Sequence, residues 1–214
     1  MANIKAKNKV KKIKHNPPSP RLRRARKEKT KLPEKLVKYL TAAGINHKLL
    51  EHRTVYTAID AAATMKRKLN EIAKSLLVTA DKDYFIVILP ADQNLDFKKL
   101  NAFLSKEFGK KIKVVKIPGE KIMEEVFKIR AGTLSAFGRM HNLPVVMDKT
   151  LTKAKKAVFS SGSFNHSVEM AVKDFIKLEN ALLGSFGVKK KFKLPKIKIV
   201  PVKVKNRRKK KSKK

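Results

Sequence analysis

The sequence predicts an α+β fold built on a mixed β-sheet. Three observations carry that expectation. Residues 72–80 and 84–90 are two apolar runs around a short polar turn, which reads as a hairpin of central strands. Residues 96–108 and 173–183 repeat apolar side chains at helical spacing. Strands and helices follow one another without the strict alternation of an all-parallel sheet.

The folded part is expected to begin near Leu32. Pro33 suits a first helical turn, Leu36, Val37 and Leu40 give that helix an apolar face, and Gly44 closes it. Residues 47–53 read as a short strand. Thr57 with Asp60 three positions on resembles a capping box, opening a helix through about Met65. The hairpin follows, then a loop over residues 91–94. In the helix of residues 96–108, Phe97, Leu100, Phe103 and Leu104 share a face, and Gly109 ends it. Residues 112–117 read as a strand. Pro118-Gly119-Glu120 starts a helix with Ile122, Met123, Val126 and Phe127 inward. Residues 144–148, 157–160 and 167–172 read as strands, and residues 173–183 as a closing helix with Phe175, Ile176 and Leu182 as its apolar residues.

Charge divides the chain into three. Residues 1–31 carry 13 basic residues and one acid, and residues 188–214 carry 15 basic residues and no acid. Residues 32–187 hold 26 basic against 16 acidic residues, an ordinary balance for a folded domain. The two tails cannot bury enough apolar area to fold alone, so they read as disordered or extended arms for a polyanion, nucleic acid first. Arg21, Arg23, Arg24 and Arg26 are the candidate phosphate contacts of the first arm. Lys189, Lys190, Lys191, Arg207, Arg208, Lys209, Lys210 and Lys211 are those of the second. The second arm is poor in aromatic residues, so base stacking is not its main mode. With no run of membrane-span length and no signal-peptide segment, the expected location is cytoplasmic with no membrane partner, although a basic arm also suits a nuclear address or an anionic lipid surface.

Several chemistries are excluded. The chain has no cysteine, hence no disulfide, thiolate nucleophile or Cys-ligated zinc. Gly-x-Ser-x-Gly, His-Glu-x-x-His and a Walker loop are all missing, and no carboxylate cluster suits a metal. No cofactor is expected. What stands out is Lys74. Side chains alternate along a strand, so Lys74 shares a face with Ile72, Leu76, Val78 and Ala80. An unpaired buried ammonium is costly. Two readings follow: a partner on that face, or snorkelling to water from near the strand start. Two glycine loops also stand out, Gly132-Thr133-Leu134-Ser135-Ala136-Phe137-Gly138 and Ser161-Gly162-Ser163-Phe164-Asn165-His166. They read as turns, or as places where backbone N–H groups approach a ligand. Asp148, at a strand end, is expected to cap the next turn.

In order, Ala73-Lys74-Ser75-Leu76-Leu77-Val78, Leu89-Pro90-Ala91-Asp92, Leu95 to Leu100, the Gly132 loop, Val145-Val146-Met147-Asp148 and Gly162 to Met170 resemble the YbaK/ProX-type aminoacyl-tRNA editing domain. That domain also occurs as the insertion domain of bacterial prolyl-tRNA synthetases. The resemblance covers about residues 33–184. It implies a strongly curved mixed sheet flanked by helices, and a deacylase that works in trans on mischarged aminoacyl-tRNA. In the family's pattern Lys74 contacts the terminal nucleotide. Gly132, Thr133, Leu134, Ser135 and Ala136 supply backbone contacts around the scissile carbonyl. Gly162, Ser163, Asn165 and His166 form the second wall, and no protein nucleophile is used. The implied partner is tRNA, with rRNA or the ribosome as further partners of the basic tails. One position departs: the family loop usually reads Gly-x-x-x-Pro, and here Ala136 leaves the backbone freer than proline would. The competing reading is a non-catalytic RNA-binding or ribosome-associated protein on the same fold.

Overall fold

The structure is a computed structural model and describes residues 32–190; the arm before it and the tail after it lie outside the described residues. Its centre is a five-stranded mixed sheet. Strand β2 (Ala73–Ala80) pairs antiparallel with β3 (Asp83–Pro90) across the turn at Asp81 and Lys82. Strand β6 (Val145–Asp148) lies parallel to β3, and β9 (Leu182–Gly184) parallel to β6. The short β5 (Val115–Lys116) flanks the far end of β2. A three-stranded antiparallel sheet is formed by β1 (His47–Glu51), β8 (His166–Ala171) and β7 (Lys156–Ser160). The two sheets meet at one parallel bridge, Ile72 with Val158, and the array does not close.

Both faces of the central sheet are covered, which is why β3 reads as a continuous apolar run. Ala73, Leu77, Ile86 and Ile88 face a core that includes Leu36 and Leu40 of α1 (Glu34–Ala42) and Phe175 of α5 (Val172–Glu179). There Phe159 and Phe175 stack at 4.1 Å between ring centroids. Val78, Phe85, Val87 and Leu89 face Leu100 and Leu104 of α3 (Phe97–Glu107). Asp96 caps α3 by accepting from the amides of Lys98 and Lys99. Helix α2 (Ala58–Met65) carries half of the expected capping box: Thr57 accepts from Asp60 N–H, and no bond returns from the Asp60 side chain among the described residues.

Five expectations need correction. The loop after Pro90 contains a strand, β4 (Gln93–Leu95), which pairs antiparallel with β10 (Gly187–Lys189). The folded structure therefore runs past residue 187, and Lys189 and Lys190 belong to it. The last helix stops at Glu179, where Asn180 turns left-handed, and Leu182 belongs to β9. Only Val115 and Lys116 of the strand expected over residues 112–117 pair with a neighbour. The Asp81 carboxylate takes the amides of Lys113 and Val114 before the ladder begins. Val126, just beyond α4 (Glu120–Glu125), is 59% exposed, and Phe97 is 39% exposed at the start of α3.

Candidate active site

The two glycine loops meet. Gly132 and Gly162 both hold positive φ, +87° and +90°, a conformation that Cβ-bearing residues rarely adopt. A Cβ on Gly162 would lie 3.4 Å from the Thr133 carbonyl oxygen, and one on Gly132 would lie 3.0 Å from the Phe164 ring. Each loop thus closes on the other where only a glycine sits without strain. One backbone bond ties them, Ala136 N–H to the Ser160 carbonyl at 3.0 Å. The freedom expected of alanine at this position is not realised: its N–H, which proline lacks, anchors the loop. Ser135 and Ala136 are buried, Gly132 is exposed and Thr133 half-buried, so the loop shows its first half to solvent. The amides of Leu134 and Ser135 donate to no protein acceptor among the described residues.

The second loop is internally braced. Ser161 Oγ donates to the His166 carbonyl at 2.7 Å. Ser163 Oγ lies 3.0 Å from Asn165 Oδ1 and 3.1 Å from His166 Nδ1, and accepts from Asn165 N–H. Ser163 and Asn165 are buried and His166 half-buried. The chain after β1 continues along this loop, His52 N–H donating to the Asn165 carbonyl and Val55 N–H to that of Phe164. That pairing lays the Tyr56 ring on Phe164, centroids 5.2 Å apart, with the Arg130 guanidinium 5.9 Å from the Phe164 centroid. The Tyr56 hydroxyl is buried and has no partner among the described residues. A buried hydroxyl calls for one, so Tyr56 joins the candidate site. Sequence reasoning missed it, because a tyrosine before a helix cap carries no motif.

Lys74 sits on the strand that the bridge brings against β7. Continuing the Ile72–Val158 register by two residues sets Lys74 level with Ser160, the residue that anchors the first loop. The side chain is half-buried and donates to the Gln93 carbonyl at 2.8 Å. It makes no hydrogen bond to Gly132 or Gly162. Burial, and then the neighbouring charge of Lys190, pull its pKa down from the usual lysine range to about 8. Lys190 is fixed beside the same segment, its N–H on the Asp92 carbonyl and its Nζ on that of Ala91, both at 2.9 Å. Of the basic residues nominated for nucleic acid, Lys189 lies in β10 and is exposed. Arg21, Arg23, Arg24, Arg26, Lys191, Arg207, Arg208, Lys209, Lys210 and Lys211 lie outside the described residues.

Asp148 caps the turn after β6, accepting from Thr150 N–H at 2.9 Å and from the Thr150 hydroxyl. Its second oxygen reaches further than expected and accepts from the amides of Phe186 and Gly187 at 2.8 and 2.6 Å. That carboxylate holds the backbone where β10 begins, three residues before Lys190. Among the described residues no helix is long and apolar enough to cross a membrane.

Among solved structures, a crystal structure of a hypothetical protein, APE2540, is 21% identical, covers 72% of this chain and 99% of its own, and superposes with a TM-score of 0.63. A crystal structure of a "putative trans-editing enzyme for prolyl tRNA synthetase" is 20% identical, covering 73% and 96%, with a TM-score of 0.60. At these identities the likeness is one of fold. No curated protein sequence matches the chain significantly. The aminoacyl-tRNA editing domain pattern matches residues 52–178, more than half of the chain and a span holding Lys74 and both glycine loops: the chain belongs to the aminoacyl-tRNA editing domain family.

Proposed function

We propose that this protein is a trans-acting deacylase that hydrolyses the ester of a mischarged aminoacyl-tRNA in the cytoplasm. The observation that carries the reading is the closure of the two glycine loops on each other within the span matched by the family. Water attacks the ester carbonyl, the bond to the ribose oxygen breaks, and free amino acid and a restored ribose hydroxyl leave. The developing oxyanion needs preorganised donors. The Gly132–Ala136 loop supplies them, with the amides of Leu134 and Ser135 lacking a protein acceptor among the described residues. Gly162, Ser163, Asn165 and His166 form the opposite wall, with Tyr56 and Phe164 beneath. Lys74 receives the terminal nucleotide of the substrate. The basic arms hold the tRNA body through its phosphates, giving affinity that falls steeply with salt.

The test is a panel of mischarged tRNAs incubated with the full chain. Deacylation above the buffer rate on at least one member is expected, and Lys74→Ala is expected to abolish it while leaving the far-UV circular dichroism unchanged. Silence across the panel together with tight RNA binding would replace the enzyme with an RNA-binding protein on the same fold.

A further inference from the structure

We propose that Lys190 is a second cation of the Lys74 site, and that the two ammonium groups together grip one phosphate of the substrate's terminal nucleotide. The inference rests on the deacylase reading for its substrate but on separate observations for its geometry. Lys74 Nζ and Lys190 Nζ donate to carbonyls two residues apart on one segment, Gln93 and Ala91. The carbonyl between them, on Asp92, accepts the Lys190 amide. Lys190 is therefore held by three features: its own N–H, its side chain, and the β4–β10 pairing that ends at Lys189 and Gln93. It is a placed residue, unlike a lysine in a solvated run.

Neither ammonium has a carboxylate partner among the described residues. Asp92, the carboxylate nearest along the segment, makes no ion pair with either, and its Oδ1 is buried without a partner. Each ammonium has three N–H donors and gives one to a backbone carbonyl. Two donors on each remain to converge on an anion. Two positive charges set side by side with neutral acceptors repel each other, and the repulsion is relieved when an anion enters. The amino acid's α-carboxyl is consumed in the ester, so the anion that every aminoacyl-tRNA end can offer here is a phosphate. Lys190 would be a positioning residue, acting on where the nucleotide sits and leaving the ester chemistry to the loops.

Binding of adenosine 5′-monophosphate and of adenosine, which differ by the phosphate alone, distinguishes this role from a general electrostatic one. The shifts of the Gln93 and Asn94 amide signals on titration into the full chain report the site apart from the tails. Lys190→Gln keeps an N–H for Ala91 but removes the charge. It is expected to weaken the monophosphate about tenfold, the scale of one charge-assisted contact, and to leave adenosine unchanged. Lys190→Arg is expected to restore most of the loss. The titration midpoint of Lys74 is expected to rise in Lys190→Gln, because a like charge has gone. Unchanged monophosphate binding, or equal weakening of both ligands, would overturn the clamp. Failure of every mischarged tRNA to be hydrolysed, with phosphate-dependent binding intact, overturns the deacylase reading and supports the clamp.

Discussion

Replacing Asp148 is expected to loosen the C-terminal edge of the domain and, through it, the Lys74 site. The side chain is 1% exposed and receives four donors. Asp148→Ala strands the amides of Phe186 and Gly187, in a segment where Phe186 is fully buried. A buried donor left unpaired costs about 1–3 kcal/mol, so the pair costs about 3–5 kcal/mol once some rehydration near Thr150 is allowed. Asp148→Asn keeps one acceptor oxygen and turns an N–H at the other pair, for about 2 kcal/mol. Urea unfolding followed by far-UV circular dichroism measures both, with an unchanged m-value showing that stability alone has moved. Burial pushes the Asp148 carboxyl up, but its four hydrogen bonds outweigh burial and leave it below the usual range. Its contribution is therefore complete above the unfolded value near pH ~4, and is lost as pH falls through the lower folded value. The Asn variant should accordingly lose less stability than the wild type on acidification. An Ala variant that loses under about 1 kcal/mol, with the Phe186 and Gly187 amides still slow to exchange, would refute the reasoning.

The C-terminal tail and the loop anchor give three further predictions. Ending the chain after Lys190 is expected to raise KM for a mischarged tRNA severalfold and leave kcat nearly constant, an effect that fades at high salt. An unchanged KM at physiological salt would remove the tail from tRNA binding. Ending it after Gly187 also takes away Lys190 and most of the partner of β4, so kcat should fall as well. Ala136→Pro restores the family's usual residue but deletes the Ala136 N–H to Ser160 bond, and should cost about 1 kcal/mol in this chain. A higher melting temperature for that variant would show that proline's rigidity outweighs the bond.

The central hairpin, the capped helices and the glycine loops were legible because each carries a local signal: alternation, an N-cap, or a residue suited to positive φ. What the sequence hid was decided by contacts far along the chain. Gln93, Asn94 and Leu95 are too few to show alternation, and their partner strand lies more than ninety residues on, among lysines that read as tail. Leu182 continues the apolar period of the last helix, yet the left-handed turn at Asn180 moves it into a parallel ladder with Val146. Gly187 reads as loop glycine, but a Cβ there would lie 1.8 Å from Gln93 Oε1, so its absence of side chain is what lets β4 and β10 close. Lys190 is one lysine in a run of three, and only register separates it from its neighbours.

Alternation placed Lys74 on a covered face, and the structure supplies its partner, the Gln93 carbonyl. A carbonyl accepts a hydrogen bond without cancelling the charge, so this partner satisfies geometry and leaves the electrostatics open. A carboxylate there would have neutralised the site and competed with any incoming phosphate. A fully solvated lysine would have kept its ordinary pKa and gained little from binding. Lys74 lies between these cases. It is still mostly protonated at neutral pH, yet burial and Lys190 hold its pKa at about 8, so the charged form is the strained one. On the proposed reading, a phosphate entering beside it would relieve that strain, and part of the cost of burying the lysine would return as binding energy only with the substrate's anion in place.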